Sequence, residues 1–381
     1  MKQHDADKYL KKAKIRPILP ENPNGQYEHF AVMPAMDELE GIAGTLDSLF
    51  AALPQNAAVL VVVNHPPEAS GAVKCADRKV LQLLEVLRRS QVRLYWIDAA
   101  SPGCEISGGV GEARRIGMDS ALAQIPWEKW GNAVIFSVDA DAPAAPEYGA
   151  EVLRALQENP RCGAVAVGVR HRADDPAEEE AIRRYEQYLY DYRNRLRAAG
   201  SPYGFLTIGS AFAVRAETYA ACGGMRIKAG GEDFYFLQAV RKIAGVCSVD
   251  KALIFPAGRP SGRVPFGTGP SVRSLMQGGS LPEYSDRGFA ALQKLLEIAT
   301  EERLSQPEVF RDALFPAALT YLEQNGFFPL WEKVRRNTPK RPGALRHAFD
   351  CWFDGLRTLQ FLKFAGVPEA GKNPAESDPV I

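Results

Sequence analysis

The chain has 381 residues, and its 46 lysines and arginines balance 46 aspartates and glutamates, so the formal net charge is zero. This balance argues against a general nucleic-acid-binding protein, which carries a basic excess, and against an acidic disordered chain. At roughly 100–200 residues per domain, the length predicts two domains. The longest apolar run, residues 57–63, is too short to span a bilayer.

From about residue 29 to residue 140, short apolar runs alternate with segments of helical periodicity. The polar residues before them, 1–28, include three prolines and are interpreted as a lead-in segment. Strands are predicted at 29–33, 57–63, 92–97 and 133–138, and helices at 38–53, 80–89 and 111–123. Recurrence of strand, helix and strand is the signature of a parallel α/β sheet.

The second half changes character after residue 250. Strands are predicted at 163–169 and 206–214, helices at 176–199 and 234–244, and later helices at 287–299, 308–323 and 345–364. Residues 251–282 are rich in Gly and Pro and are interpreted as a basic loop without acidic residues. The prediction is therefore a mixed, mainly parallel sheet flanked by helices at 29–282, a small all-helical C-terminal domain at 283–366, and a tail at 367–381.

The cysteines are scattered and form no Cys-x-x-Cys pair. This distribution favours reduced thiols over a disulfide framework or a zinc site. The N-terminal segment lacks the apolar stretch of a secretory signal, so the sequence predicts a cytoplasmic protein. His65 and His171 are interpreted as polar loop residues.

Two acidic pairs are the main candidates for chemistry. Asp139 and Asp141 directly follow a predicted buried strand, and side chains two apart on an extended segment point the same way. Two carboxylates at the carboxyl edge of a parallel sheet suit Mg²⁺ or Mn²⁺, although such residues also cap turns. Glu232 and Asp233 open a predicted helix, where an ionised carboxylate can act as a general base or serve only as a cap.

Five ordered motifs over residues 29–270 together resemble the family-2 glycosyltransferases, which have the GT-A fold and use a nucleotide-diphospho-sugar donor. They are Pro34-Ala35-Met36-Asp37-Glu38, Gly111-Glu112-Ala113-Arg114-Arg115-Ile116-Gly117, Asp139-Ala140-Asp141, Gly209-Ser210-Ala211 with Gly223-Gly224-Met225, and Gly231-Glu232-Asp233.

The resemblance implies a role for each motif. Asp139 and Asp141 hold Mn²⁺ or Mg²⁺, Asp233 is the base of an inverting transfer, and Glu232 orients it or the acceptor. Pro34, Glu38 and Asn64 lie at the donor nucleotide, with Asp139 also on the donor side. Gly209 and Ser210 lie on the side of the hydroxyl acceptor.

Cationic groups are expected at the diphosphate, because phosphate binding requires cationic donors. Arg114, near the start of its predicted helix, is one candidate. Arg263, in the basic loop, is the other, with the glycines around it letting the loop close over donor or anionic acceptor. A plain surface loop with solvated arginines is the alternative interpretation.

The sequence departs from the family pattern in two places. Asn64 stands where the family has an aspartate that helps to bind the base, and no histidine between His171 and His347 supplies a late metal ligand. The absence of the Gln-x-x-Arg-Trp motif and of predicted transmembrane helices argues against a processive membrane synthase.

Two alternatives to a glycosyltransferase stay open. They are a catalytically silent nucleotide-sugar-binding relative or assembly partner, and a sugar-phosphate nucleotidyltransferase, whose early Gly-rich loop is missing here. The donor sugar and base, the acceptor, the role of the helical domain and the oligomeric state are left open by the sequence.

Overall fold

The computed structural model describes residues 2–21, 25–173, 175–228, 230–259 and 267–367. Arg263, the predicted donor-binding arginine, and residues 368–381 of the predicted tail lie outside the described residues. The chain divides into two compact units, one formed by Met1–Glu186 with Phe205–Gly279 and the other by Gln187–Gly204 with Ser280–Ile381.

The first unit is built on a seven-stranded sheet with the order β3-β2-β1-β4-β6-β5-β7. Only β6 among these strands runs antiparallel to its neighbours, so the prediction of a mixed, mainly parallel sheet is confirmed. The strands are β1 His29–Ala35, β2 Ala57–Asn64, β3 Leu94–Ala99, β4 Val134–Ser137, β5 Cys162–Val169, β6 Phe212–Arg215 and β7 Gly245–Ile254.

Helices accompany the strands in chain order. They are α1 Gln3–Leu10, α2 Ile42–Ala52, α3 Gly71–Arg88, α4 Gly109–Gln124, a short 3₁₀ helix Trp127–Lys129, α5 Tyr148–Glu158, α6 Pro176–Ala198, α7 Ala216–Ala221, α8 Glu232–Arg241 and α9 Thr268–Met276. Every residue of β1 and β2 is buried, as expected for central parallel strands that are covered on both faces.

The second unit contains α10 to α16 in addition to the C-terminal part of α6, and no strand occurs among its described residues. The helices predicted at 308–323 and 345–364 are each broken in two. Pro316 starts a new helix at its first turn, and the Asp354 carboxylate caps another by accepting from the Arg357 N–H. The helices are α10 Asp286–Ile298, α11 Glu301–Ser305, α12 Pro307–Asp312, α13 Pro316–Gln324, α14 Phe327–Asn337, α15 Ala344–Trp352 and α16 Gly355–Gly366.

The interpretation of 251–282 as a loop is wrong at both ends. Strand β7 begins immediately after the helix predicted at 234–244 and runs to Ile254, and α9 occupies Thr268–Met276. β7 pairs only with β5 in the described sheet, and its register shifts twice near Gly168. A half-exposed edge strand with irregular pairing lacks the continuous apolar run that marks the central strands.

The lead-in segment is attached to the rest of the sheet unit by side-chain and backbone hydrogen bonds. The Tyr9 hydroxyl of α1 donates to Asp119 Oδ1 at 2.6 Å, and the Lys14 N–H donates to Asp119 Oδ2 at 2.7 Å. Leu19 pairs with Trp96 of β3 through an antiparallel bridge. Asp119 is fully buried on α4, so these bonds satisfy a carboxylate that has no access to water.

Two cysteines contradict the prediction of reduced thiols. Cys162 and Cys247 form a disulfide, and their Cα atoms lie 5.9 Å apart. They lie at or near the starts of neighbouring parallel strands, β5 and β7, so a pair separated by 85 positions in the sequence is brought together by sheet pairing. The sequence spacing alone does not contain that information.

Candidate active site

The predicted site residues follow strands whose carboxyl ends meet at one edge of the sheet. β1 pairs in parallel with both β2 and β4, with Ala35 opposite Val63 and Val32 opposite Ser137. Glu38 follows β1, Asn64 ends β2, and Asp139 and Asp141 follow β4. Ligand sites of open α/β sheets lie at this edge.

Arg114 of α4 connects the two acidic pairs. Its side chain is buried, with Nη2 donating to Asp139 Oδ1 and Nη1 donating to Glu232 Oε1. Burial lowers the pKa of Arg114, but the charges of Asp139 and Glu232 more than offset this effect, and the net pKa is raised. The guanidinium therefore stays charged and fixes both carboxylates in place.

A close backbone approach makes room for this arginine. A Cβ atom built on Gly209 would lie 2.4 Å from Arg114 Nη2, so a side chain at this position would displace the guanidinium from where it lies. The Gly209 carbonyl also accepts from the Ser137 hydroxyl at 2.7 Å. Strand β6 starts only at Phe212, later than the predicted 206, because residues 209–210 form a turn against Arg114 instead. Ser210 is buried beside that turn.

Asp233 lies at the start of α8, next to the Arg114 cluster. The helix is entered through Gly231, whose φ of 68° is left-handed. Glu232 is buried, whereas Asp233 is partly exposed, and the Asp233 carboxylate accepts from the Phe234 N–H at 2.7 Å. Desolvation and the adjacent charge of Glu232 raise the pKa of Asp233 to about 7. A carboxylate with this pKa is suited to general-base work near neutral pH.

A second arginine bridges carboxylates on the donor side of the predicted site. Arg259 Nη2 lies 2.6 and 2.7 Å from the two carboxylate oxygens of Glu38 and 3.4 Å from Asp141 Oδ2. Glu38 is available for this contact because α2 begins at Ile42, not at the predicted residue 38. Burial lowers the pKa of Arg259, but the charge of Glu38 leads a larger opposing effect, so the net pKa is raised.

The segment that carries Arg259 is fastened beside Asp141. The Asp141 carbonyl accepts from the Ala257 N–H at 3.1 Å and from Arg172 Nη2 at 2.9 Å. The Gly258 N–H donates to the Arg172 carbonyl, and a Cβ atom there would lie 1.9 Å from Ile182 Cδ1. Arg259 lies within the predicted basic loop, but no sequence pattern pairs it with Glu38, which is 221 positions away.

The end of β2 contributes buried polar groups. Asn64 is 5% exposed, and within the described structure its Oδ1 atom has no hydrogen-bond partner. The adjacent His65 is also buried, contrary to its interpretation as a polar loop residue, and its Nδ1 lies 2.9 Å from Asp77 Oδ2. Asp77 also accepts from the Asp37 N–H at 2.7 Å, which ties the turn after β1 to α3. Pro34 is buried within β1.

His171, the other presumed loop histidine, is buried as well. Its Nδ1 lies 2.9 Å from Glu186 Oε1, and its Nε2 lies 3.2 Å from the Thr268 hydroxyl at the start of α9. Both ring nitrogens thus have partners, which is the pattern of a histidine that anchors neighbouring segments.

The chemistry of the donor set is compatible with a hard divalent cation. Asp139 and Asp141 keep 36% and 23% of their side chains exposed, and Asp141 with Glu38 already holds the positive charge of Arg259. Within the described residues, no group of three or more His, Cys, Asp and Glu side chains is arranged to hold a metal. A metal at Asp141 therefore requires further oxygen ligands from a bound phosphate or water.

No protein-family model and no curated protein matches the chain. Among solved structures, it is similar to S. aureus TarS 1-349 in complex with UDP-GlcNAc, at 14% identity and a TM-score of 0.45 over 82% of this chain and 93% of that one. It is also similar to the mannosyltransferase PcManGT from Pyrobaculum calidifontis in complex with GDP-Man and Mn²⁺, at 16% identity and a TM-score of 0.41 over 94% and 91% of the chains.

A third similar structure is glucosyl-3-phosphoglycerate synthase from Mycobacterium tuberculosis with Mn²⁺ and UDP, at 14% identity and a TM-score of 0.40 over 68% and 85%. At these identities the similarity concerns the fold, and the ligands are those of the proteins named. No helix in the described part of this chain is long and apolar enough to cross a membrane.

Proposed function

We propose that the protein is a glycosyltransferase that moves a sugar from a nucleotide-diphospho-sugar to a hydroxyl acceptor. The observation that carries the proposal is the cluster in which Arg114 links Asp139 to Glu232, beside Asp233 with its pKa near 7. In this proposal Asp139 on the donor side and the base Asp233 on the acceptor side lie at the same edge of the sheet.

Asp233 is the proposed base. In its ionised form it takes the proton of the acceptor hydroxyl, whose oxygen then attacks the anomeric carbon from the face opposite the leaving diphosphate and inverts it. Glu232 is held by Arg114 and positions the start of α8, so it fixes Asp233 relative to the sheet edge. Gly209 and Ser210 line the acceptor side in this proposal.

The donor lies across the ends of β4, β1 and β2. Neighbouring strands are about 4.8 Å apart, so the two spacings from β4 to β2 span about 10 Å, roughly the reach from a diphosphate to its base. Asn64 Oδ1 is an unpartnered buried acceptor at the base end of that span. Between the two ends of the donor lie Pro34, on β1, and Glu38, in the turn after β1.

Asp141, with Asp139 beside it, is the proposed holder of Mn²⁺ or Mg²⁺. A divalent ion there supplies Lewis-acid stabilisation of charge on the leaving diphosphate. Arg259 provides a second cation at the same place, next to Glu38 and Asp141. Arg263 remains a proposed contact to the diphosphate.

The proposal is tested by incubating the protein with Mn²⁺, a panel of nucleotide sugars and a panel of hydroxyl acceptors, and measuring nucleoside diphosphate release. Calorimetric titration of each donor accompanies the assay. Release with at least one donor supports the enzyme. Absence of both release and binding for all donors contradicts it, whereas donor binding without release in the presence of every acceptor supports a catalytically silent nucleotide-sugar-binding relative.

A further inference from the structure

An exposed basic surface lies on the helical unit, and it includes none of the residues assigned above. We call it the basic surface, and it comprises the exposed side chains of Lys333, Arg335, Arg336, Lys340 and Arg341. Residues 333–349 contain no Asp or Glu. Because the chain as a whole has zero formal charge, this is a local excess and not part of a general basic character.

Helix capping explains only part of the basic surface. Arg335 and Arg336 lie in the last turn of α14, where cations are favoured by the helix dipole, and Arg336 also pairs with Glu332. Lys340 and Arg341 lie beyond the end of α14, so the helix dipole does not explain why cations occur at these positions. Neither residue contributes to the apolar core of the unit.

The opposite face of α14 is already used for packing. Phe327 and Trp331 are buried and stacked with ring centroids 5.0 Å apart, and Trp331 Nε1 donates to the Leu304 carbonyl. A partner that binds an amphipathic helix through its apolar face therefore has no such face to bind here. What α14 offers to a partner is its charged side.

Exposed apolar side chains accompany the cations. Leu330 is 43% exposed and precedes Lys333 by one helical turn. Val309 of α12 is 46% exposed, and α12 packs against α14 through Phe310 and Phe327. A soluble polyanion needs cations alone, whereas a lipid surface offers anionic headgroups together with an acyl boundary for apolar side chains.

We propose that the basic surface, with Leu330, docks the helical unit onto a membrane surface that contains anionic lipid. The attachment is peripheral and electrostatic, with Leu330 entering the headgroup region. It does not depend on the proposed transfer reaction, because none of these residues belongs to the candidate active site.

The test is co-sedimentation of the full chain with vesicles of phosphatidylcholine alone and with 30% phosphatidylglycerol, at low and high salt. Binding is expected only to the anionic vesicles, and it should weaken as salt rises. Each cation near such a surface contributes about fivefold in affinity, so the triple change Lys333→Gln, Arg335→Gln and Arg341→Gln is expected to weaken binding about a hundredfold.

The matched control removes three exposed cations of α3 and its C-cap, through Arg78→Gln, Lys79→Gln and Arg89→Gln, with the same change in net charge. The control variant should bind the vesicles with an affinity within about twofold of the wild-type value. Thermal melting checks that both triple variants are folded. Leu330→Ser is expected to weaken binding that persists at high salt. The proposal is overturned by no preference for anionic vesicles, by equal loss in the two triple variants, or by binding to soluble polyphosphate but not to vesicles.

Discussion

At the scale of single residues, the site depends on how two arginines distribute charge among five carboxylates. Arg114 is buried and joins Asp139 to Glu232, whereas Arg259 is partly exposed and joins Glu38 to Asp141. The Arg114 side chain is 3% exposed, whereas that of Arg259 is 37% exposed, so solvent screens the second set of ion pairs more than the first. Asp233 is left as the carboxylate with the raised pKa.

Changing Asp233→Asn should reduce turnover by at least about a hundredfold, the usual contribution of a general base. In the wild-type protein, kcat/KM should rise with pH and level off above about 7, because Asp233 acts only when deprotonated. Donor affinity measured by calorimetry serves as the control and should be retained. An unchanged turnover would remove Asp233 from the role of base.

The same raised pKa predicts an effect on stability. An aspartate in an unfolded chain titrates near 4, so between about pH 4 and pH 7 the folded state holds more protons at Asp233 than the unfolded state does. Its contribution to the free energy of unfolding therefore falls as pH rises through that window. The change in melting temperature caused by Asp233→Asn should be more positive at pH 8 than at pH 4. A change that is more positive at pH 4 would contradict the raised pKa of Asp233.

Arg259→Gln should increase the affinity of the free protein for Mn²⁺. The guanidinium occupies Glu38 and Asp141, so its removal leaves two carboxylates without that cation. Because the group is partly exposed, the expected gain is up to about fivefold. Titration of Mn²⁺ followed by electron paramagnetic resonance measures it, with Arg259→Lys as the charge-preserving control. An unchanged or lower affinity would show that Arg259 does not compete with the ion.

At the scale of elements, strands and helices with strong periodicity were predictable, and irregular ones were not. The central strands β1, β2 and β4 are continuous apolar runs covered on both faces, so periodicity located them to within a few residues. β7 is a half-exposed edge strand, and its small residues and its adjacent Asp250 and Lys251 interrupt the apolar run that would mark a strand. The breaks before α13 and α16 depend on a proline and a cap within otherwise helical sequence.

The candidate site was predictable to a similar extent. Asp139, Asp141, Glu232 and Asp233 were placed by their positions at element ends. The position of Arg114 between Asp139 and Glu232 depends on the close approach of Gly209. The contact of Arg259 with Glu38 depends on the path of residues 255–259. Sequence periodicity contains neither piece of information.

Reduction of the Cys162–Cys247 disulfide should destabilise the sheet unit. The bond joins β5 to the edge strand β7 across 85 positions, and restricting such a loop in the unfolded chain contributes about 2–4 kcal/mol. Denaturant unfolding with and without dithiothreitol measures the change, and Cys162→Ser with Cys247→Ser should reproduce it. Cys75→Ser with Cys104→Ser, which changes two exposed free thiols, is the control. An identical midpoint under both conditions would contradict the prediction.

At the scale of the whole molecule, the boundary between units is not a single point in the sequence. A domain boundary was expected at 282, but residues 187–204 belong to the second unit together with 280–381. Leu196 and Ala199 share an apolar cluster with Phe289 and Leu292 of α10. Contacts between segments about a hundred residues apart are not visible to local patterns.

A chain that ends at residue 282 should therefore be defective. The rings of Tyr192 and Tyr284 are in tilted contact, with centroids 5.2 Å apart, and Leu196 packs with α10, so truncation exposes the apolar side of residues 187–204. Binding of a hydrophobic dye and early elution in size-exclusion chromatography should follow, and supplying residues 280–381 as a second chain should reduce both. A truncated chain that melts as the full chain does, without dye binding, would refute this.

The central claim is that one sheet edge binds a nucleotide-diphospho-sugar and that Asp233 activates the acceptor. The most direct measurement is the rate of nucleoside diphosphate release from the donor panel with Mn²⁺ and the hydroxyl acceptors, comparing wild-type protein with Asp233→Asn. The account predicts release from at least one donor and its loss by at least about a hundredfold in the variant, with donor binding kept. Failure of the wild-type protein to bind or turn over any donor would contradict it.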